Sequence, residues 1–275
     1  MIITMPRVRE MLAYSFMQNA FAASGIVAVL AGLVGFFLVL RAQSFAGHAL
    51  SHIGFAGATG AALLGAPPLA GMLAFTLAGG VLMGALGEQV AQRDVAIGVV
   101  LSLALGLGVL FLHFFTSSAA QATSLLFGNV LGVDGGTIRA LLVLAVVGLA
   151  ALAAIARPLL FASLHPELAE AKGVNLRLVA MLFLAIAALA VAEASQIVGV
   201  LLVFTLMVGP PATAQMLSTR FWTALPLAAL LALAEAWAGL VLAYATDWPT
   251  SFWITALSGA AYGLAALGQR RAAAG

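Results

Sequence analysis

From Met11 to Leu267 the chain is a succession of apolar stretches, most of them about 20 residues long, parted by short polar turns. A helix of ~20 residues rises ~30 Å, which is the thickness of a bilayer's hydrocarbon core. A membrane barrel needs something different, alternating segments of ~10 residues, and the runs here do not alternate. The 275 residues are 64% hydrophobic and only 7% charged. A soluble domain carries roughly 25% charged residues, so this chain cannot build a water-covered surface. The expected fold is all-α, a polytopic bundle of about nine transmembrane helices forming one domain over residues 1–275, embedded in lipid. Nucleic acid is not an expected partner, because the net charge is only +2 and the basic residues stand singly at turns. With no cysteine in the chain, metal chemistry would fall to His, Asp, Glu or backbone oxygen. Met1 to Glu10 is a short polar start rather than a cleavable signal.

The runs place spans near residues 11–40, 45–66, 69–86, 95–115, 138–161, 178–192, 197–214, 221–245 and 251–267. Gly209-Pro210-Pro211 is expected to cut the seventh, since proline removes a helix donor. Thr116 to Gly136, only moderately apolar, is expected to be partly buried or re-entrant. The odd-numbered spans end at Arg41, Arg93, Arg157, Arg220 and Arg270-Arg271, whereas the opposite turns carry only Arg139. Cytoplasmic loops collect Lys and Arg, so the C-terminus is expected inside and the N-terminus outside, with Arg7 and Arg9 against the rule. Trp248 and Trp253 flank the last outer turn, as interfacial aromatics do. Gly54, Gly57, Gly60, Gly80 and Gly84 provide the small surfaces that close helix contact in lipid requires.

The longest polar interruption runs from Ser163 to Arg177, on the cytoplasmic side of this map. It reads as a short helix of about seven residues, far too short to cross the bilayer. Pro166 suits a first helical position, Glu167 and Glu170 lie toward the positive end, and Gly173 can take the left-handed conformation that closes a helix. A polar helix held there between two spans is either a handle for a soluble partner or an ordinary loop with one helical turn.

Within the apolar runs, ionisable groups are the candidates for function, because each is expensive in lipid. His48 and His52 stand at i and i+4, on one helix face, where both can reach one ion; alternatively each binds a neighbouring carbonyl and only packs. No carboxylate lies between them, which argues against a hydrolytic HExxH site. Glu193 is expected near the outer end of the sixth span, in a wet position suited to ion entry. Glu235 lies mid-span and is expected to face a cavity or a partner group; packing while protonated is the alternative. Asp247, with His113 and Asp134, lies near an outer end where solvent can satisfy it.

Seven segments, in order along nearly the whole chain, resemble the permease family of zinc, manganese and iron ABC importers. They are Val39-Leu-Arg41 with Ser51-His52-Ile-Gly54-Phe-Ala-Gly57, Gln92-Arg-Asp94-Val-Ala-Ile-Gly98, Leu126-Phe-Gly-Asn-Val-Leu-Gly132, His165-Pro-Glu-Leu-Ala-Glu-Ala-Lys-Gly173, Ser195-Gln-Ile-Val-Gly199, Pro211-Ala-Thr-Ala214 and Asp247-Trp-Pro-Thr250. The resemblance implies a bacterial inner-membrane permease with a fold like that of the cobalamin and siderophore importers, lacking their first span. It implies a homodimer with the ion path on the two-fold axis, a separate cytoplasmic ATP-binding subunit and an extracytoplasmic metal-binding protein. The permease itself would not be catalytic and would hold no permanent cofactor. His48, His52, Glu193, Glu235 and Asp247 become candidate metal contacts. His165, Pro166, Glu167, Leu168, Glu170, Lys172 and Gly173, within a coupling segment over 163–175, become candidate contacts with the ATPase. In the family pattern the position of His48 is more often aspartate. A bis-imidazole pair suits zinc better than manganese, so zinc is the expected cargo, with manganese or iron as alternatives. A permease for a metal chelate and an intramembrane metalloenzyme are the competing readings. The enzyme lacks a recognisable general base.

Overall fold

The structure, a computed structural model, describes residues 11–86, 90–114, 128–200 and 203–274. In chain order its helices are α1 (Ser15–Leu40), α2 (Ser44–Leu63), α3 (Pro68–Leu86), α4 (Val90–His113), α5 (Gly135–Leu164), α6 (Pro166–Ala171), α7 (Leu176–Val198), α8 (Val203–Leu217), α9 (Phe221–Thr246) and α10 (Thr250–Ala274), with a 3-10 turn at Val130–Gly132. No strand occurs among the described residues. Each of the nine expected spans has its helix. Six of them, α1, α3, α5, α7, α9 and α10, are long and apolar enough to cross a membrane by length and composition. The polar and glycine content of α2, the short apolar part of α4 (Ile97–His113) and the 15 residues of α8 keep these three outside that group. Of the Thr116–Gly136 stretch, residues 116–127 lie outside the described residues, as do Arg7, Arg9 and Glu88.

The bundle is wrapped around α1, which packs against α5, α7, α8 and α9. What brings the helices so close is the absence of side chains at the crossings. A Cβ on Gly35 would strike the Met207 carbonyl of α8, and one on Gly57 would strike the Gly71 carbonyl, so α2 and α3 meet backbone to backbone. Gly80 and Gly84 bring α3 onto Leu184 and Met181 of α7 in the same way. In lipid no hydrophobic force drives helices together, and this close packing supplies the attraction instead.

Two sequence expectations fail here, each for a packing reason. The seventh span is not cut, because α8 continues through Pro210 and Pro211, both buried. The prolines leave the Leu206 and Met207 carbonyls without their i+4 donors. Neighbouring helices tolerate this defect, with Gly35 seated on the Met207 carbonyl. The sixth span does not end at Ala192; α7 runs on to Val198 and stops at Gly199, whose φ of 90° ends the helix. Ala192 and Ala194, both 0% exposed, let neighbours close over this polar stretch.

On the opposite edge Asp134 caps α5, its Oδ1 accepting from the Thr137 amide at 2.8 Å. The hydrogen bonds from Thr137 hold its carboxyl below the usual carboxylate range.

Candidate functional site

The polar helix is present as α6, with Pro166 in its first turn and Glu167 beside it. Its C-terminus closes as anticipated: Gly173 has φ 85°, the Gly173 amide donates to Glu170 O at 2.8 Å and the Val174 amide to Ala169 O at 3.0 Å. This is a Schellman closure, in which glycine's lack of a Cβ permits the left-handed residue. Lys172 is the C-cap rather than part of the last turn. Ala169, 0% exposed, seats α6 on α5 and α7, whereas Leu168 is 52% exposed. Leu168 is the one large apolar side chain of α6, whose charged residues are Glu167 and Glu170. His165 ends α5 and caps α6 at once. A cleft of about 630 Å³ opens beside α6, lined by Arg41, Gln43, Pro166, Glu170 and Arg177 among others.

The two histidines come together on α2. Their ring centroids lie 4.8 Å apart at an interplanar angle of 82°, and the His48 ring also meets Phe204 of α8 at 5.4 Å. Both are half-buried. On the far side of α2, Ala49, Leu50 and Ile53 are buried in the core, so the pair faces outward from the single chain together with Phe45, which is 43% exposed. No hydrogen bond to either imidazole occurs among the described residues, in contrast to Thr59 and Thr76, whose hydroxyls donate to carbonyls of their own helices. An imidazole within a membrane span is costly unless something satisfies it. Two nitrogens do not complete a metal site. Among the described residues no group of three or more His, Cys, Asp or Glu could hold an ion.

Glu193, Glu235 and Asp247 therefore do not join the pair. Glu193 lies in the last two turns of α7 as expected but is 0% exposed and so not in a wet position, and its carboxylate oxygens, the Ser195 hydroxyl and the Gln196 Oε1 find no hydrogen-bond partner among the described residues. The run Glu193-Ala-Ser-Gln196 reads as a turn by composition, and only the close packing of α7 reveals its depth. Glu235, 6% exposed on α9, faces Ser258 of α10 without closing a hydrogen bond to it. Asp247 terminates α9 in the left-handed conformation, φ 58°, at an exposed end beside Trp248 and Trp253, whose rings stack at 5.6 Å. Phe204 beside His48 and Ser258 beside Glu235 lie far along the chain from their partners, and no sequence signal marks either.

The family model of the ABC 3 transport family matches residues 13–268. A probable metal transport system membrane protein of Treponema pallidum is 35% identical over 237 residues, covering 85% of this chain and 88% of that protein. The manganese transport system membrane protein MntC of Listeria monocytogenes is 29% identical over 235 residues, covering 85% of this chain and 84% of MntC. Among solved structures, a chain of PsaBC from Streptococcus pneumoniae in complex with Fab superposes with a TM-score of 0.83 at 24% identity, covering 94% of this chain and 93% of that one. A chain from an inward-facing ABC transporter, described as of metal-chelate type, superposes at 0.72 with 15% identity, covering 97% of this chain and 91% of that one. The family match runs along almost all of the chain, which therefore belongs to the ABC 3 transport family as a multi-pass membrane permease.

Proposed function

We propose that the chain is the permease subunit of an ABC importer for a divalent transition-metal ion, and that His48 and His52 line the ion's path. The observation that carries this reading is the imidazole pair, half-buried on α2 with rings 4.8 Å apart and no hydrogen bond to either ring among the described residues. A second copy, related by a two-fold axis through this face, would cover the pair and oppose it with another, giving four nitrogens where one chain offers two. Closed symmetric dimers are the commonest assembly, and a polar face otherwise turned to lipid is a strong reason for one. Nothing permanently bound is required: the ion is cargo, and coordination weak enough to be left behind suits transport.

Energy would enter at α6. In this reading the exposed Leu168, flanked by Glu167 and Glu170, docks in a cytoplasmic ATP-binding subunit, with His165, Pro166, Lys172 and Gly173 shaping the helix ends. ATP-driven closure of that subunit would then rock the bundle between outward- and inward-open states. An extracytoplasmic metal-binding protein delivers the ion at the opposite edge, where Asp134, Asp247 and Trp248 are exposed.

Zinc is the proposed cargo, because imidazole nitrogens favour it over manganese. Manganese is the second reading, supported by the names of MntC of Listeria monocytogenes and of the manganese import permease ScaB of Streptococcus parasanguinis, 30% identical over 235 residues. Metal-stimulated ATP hydrolysis by the reconstituted complex, measured with zinc, manganese and ferrous iron in turn, tests both. Stimulation by zinc above the others supports the first reading, and by manganese the second. Stimulation by none of them rejects the proposal.

A further inference from the structure

In the proposed function, force enters at α6 and the ion passes α2. These helices are separated in the bundle, since α6 packs on α5 and α7. Arg41, at the end of α1, touches the elements on both sides. Its Nη1 donates to Ser163 Oγ at 3.1 Å, in the last turn of α5, two residues before His165. Its Nε donates to Gln43 Oε1 at 3.2 Å, and Gln43, 4% exposed, is the N-cap residue of α2. The guanidinium also lies over the Phe183 ring of α7, 5.8 Å from its centroid, and Phe183 is 0% exposed. One planar fork thus engages α5, α7 and the start of α2, a geometry that guanidinium supports and ammonium does not.

The backbone at this point resists bending. Ala42 has φ 51°, the left-handed region that side chains avoid. The Ala42 amide donates to Val39 O at 3.0 Å and the Gln43 amide to Leu38 O at 2.8 Å, so the α1–α2 turn is a Schellman closure built without glycine. Such a conformation persists where surrounding contacts over-determine it. A turn clamped in this way passes a displacement on instead of absorbing it. His48 lies five positions beyond Gln43, in the second turn of α2.

We propose that Arg41 is a positioning residue that transmits movement of α6 and the end of α5 through Gln43 to α2 and its histidines. This rests on the function proposed above, with α6 as the entry point for force. The two fail differently in one experiment, in which the full chain is assembled with its ATP-binding subunit and zinc ions moved per ATP hydrolysed are measured in proteoliposomes. The expectation for Arg41→Gln is that the ATPase still co-purifies and its basal rate stays within about twofold of wild type, while ions moved per ATP fall about tenfold, within the usual range of coupling between sites. Arg41→Lys, which keeps the charge and loses the fork, falls nearly as far. Ser163→Ala falls less, and adding it to Arg41→Gln lowers the ratio no further, as expected of partners in one contact. An unchanged ratio in Arg41→Gln and Arg41→Lys overturns the inference, and so does loss of ATPase co-purification, which would make Arg41 a docking residue. If Arg41→Gln does not assemble, Ser163→Ala decides by the same ratio. Where manganese or ferrous iron is the ion moved, the same ratio is read with that ion; wild-type protein that moves none of zinc, manganese and ferrous iron on ATP hydrolysis removes the proposed function, and this inference with it.

Discussion

The end of the bundle at α6 and the histidine face of α2 contrast in how their polar groups are satisfied. At the first, each special feature is resolved within one chain: Gly173 closes α6, Arg41 finds Ser163, Gln43 and Phe183, and Asn175 caps α7 by accepting from the Leu178 amide at 2.9 Å. Aromatic side chains add stiffness there, with Phe36, Phe37, Phe183 and Phe221 in edge-on contact at centroid distances of 5.7 to 6.3 Å. The histidine face is unfinished by the same measure, offering two half-buried imidazoles with no hydrogen bond among the described residues. A rigid end is suited to receiving force, and an incomplete face is suited to holding something that comes and goes. Under the proposed function, the contrast sets a surface for a soluble partner against a face for a second chain and an ion.

The largest expected effect breaks the rigid end from its partner without disturbing it. Leu168→Asp puts a charge on an exposed apolar contact, so pull-down of the ATP-binding subunit should fall by more than about tenfold, the equivalent of ~1.4 kcal/mol or more. The permease itself should elute unchanged in size-exclusion chromatography. Pull-down at wild-type level would mean that α6 is not the docking element.

Next in size is a change that sharpens the deficient face. His48→Asp exchanges one imidazole of the pair for a harder oxygen ligand. The ratio of zinc to manganese uptake should drop by about tenfold, in line with ligand preference. An unaltered ratio would place His48 outside the ion's contacts.

A smaller effect separates the face from the buried carboxyls. Glu193 is buried with no hydrogen-bond partner among the described residues, and exchanging such a group for an apolar one of similar size is often neutral or stabilising. Glu193→Leu should therefore keep uptake within about twofold and leave stability equal or raised by roughly 1–3 kcal/mol, read as the thermal midpoint in detergent. A loss of uptake with the fold intact would put Glu193 on the path.

The smallest concerns the clamped turn. Ala42→Gly removes the Cβ from a left-handed residue, a relief of about 1 kcal/mol, which corresponds to a rise of roughly 2–4 °C in the midpoint for a chain of this size. An equal or lower midpoint would indicate that Ala42 bears no strain.

Much of this architecture was legible in the sequence because lipid imposes simple rules. Spans followed from run length, and α6 from Pro166 and Gly173, whose roles are local. The imidazole pair followed from a four-residue spacing on a helix. The glycine contacts were anticipated in kind, though not that Gly57 would meet Gly71. What escaped depends on partners distant in sequence. The depth of Glu193 is set by α3, α5 and other helices closing on α7, and the continuity of α8 by the neighbours that tolerate its two prolines. Arg41 and Ser163 are separated by 122 positions, and no periodicity connects them.

The central claim, that the imidazole pair is where the ion passes, is tested most directly by ATP-driven zinc uptake into proteoliposomes containing the full complex with His52→Ala in the permease. The claim predicts that uptake falls at least about a hundredfold while ATPase co-purification is retained, a loss of ~2.7 kcal/mol at the rate-determining passage. Uptake at the wild-type rate would contradict it.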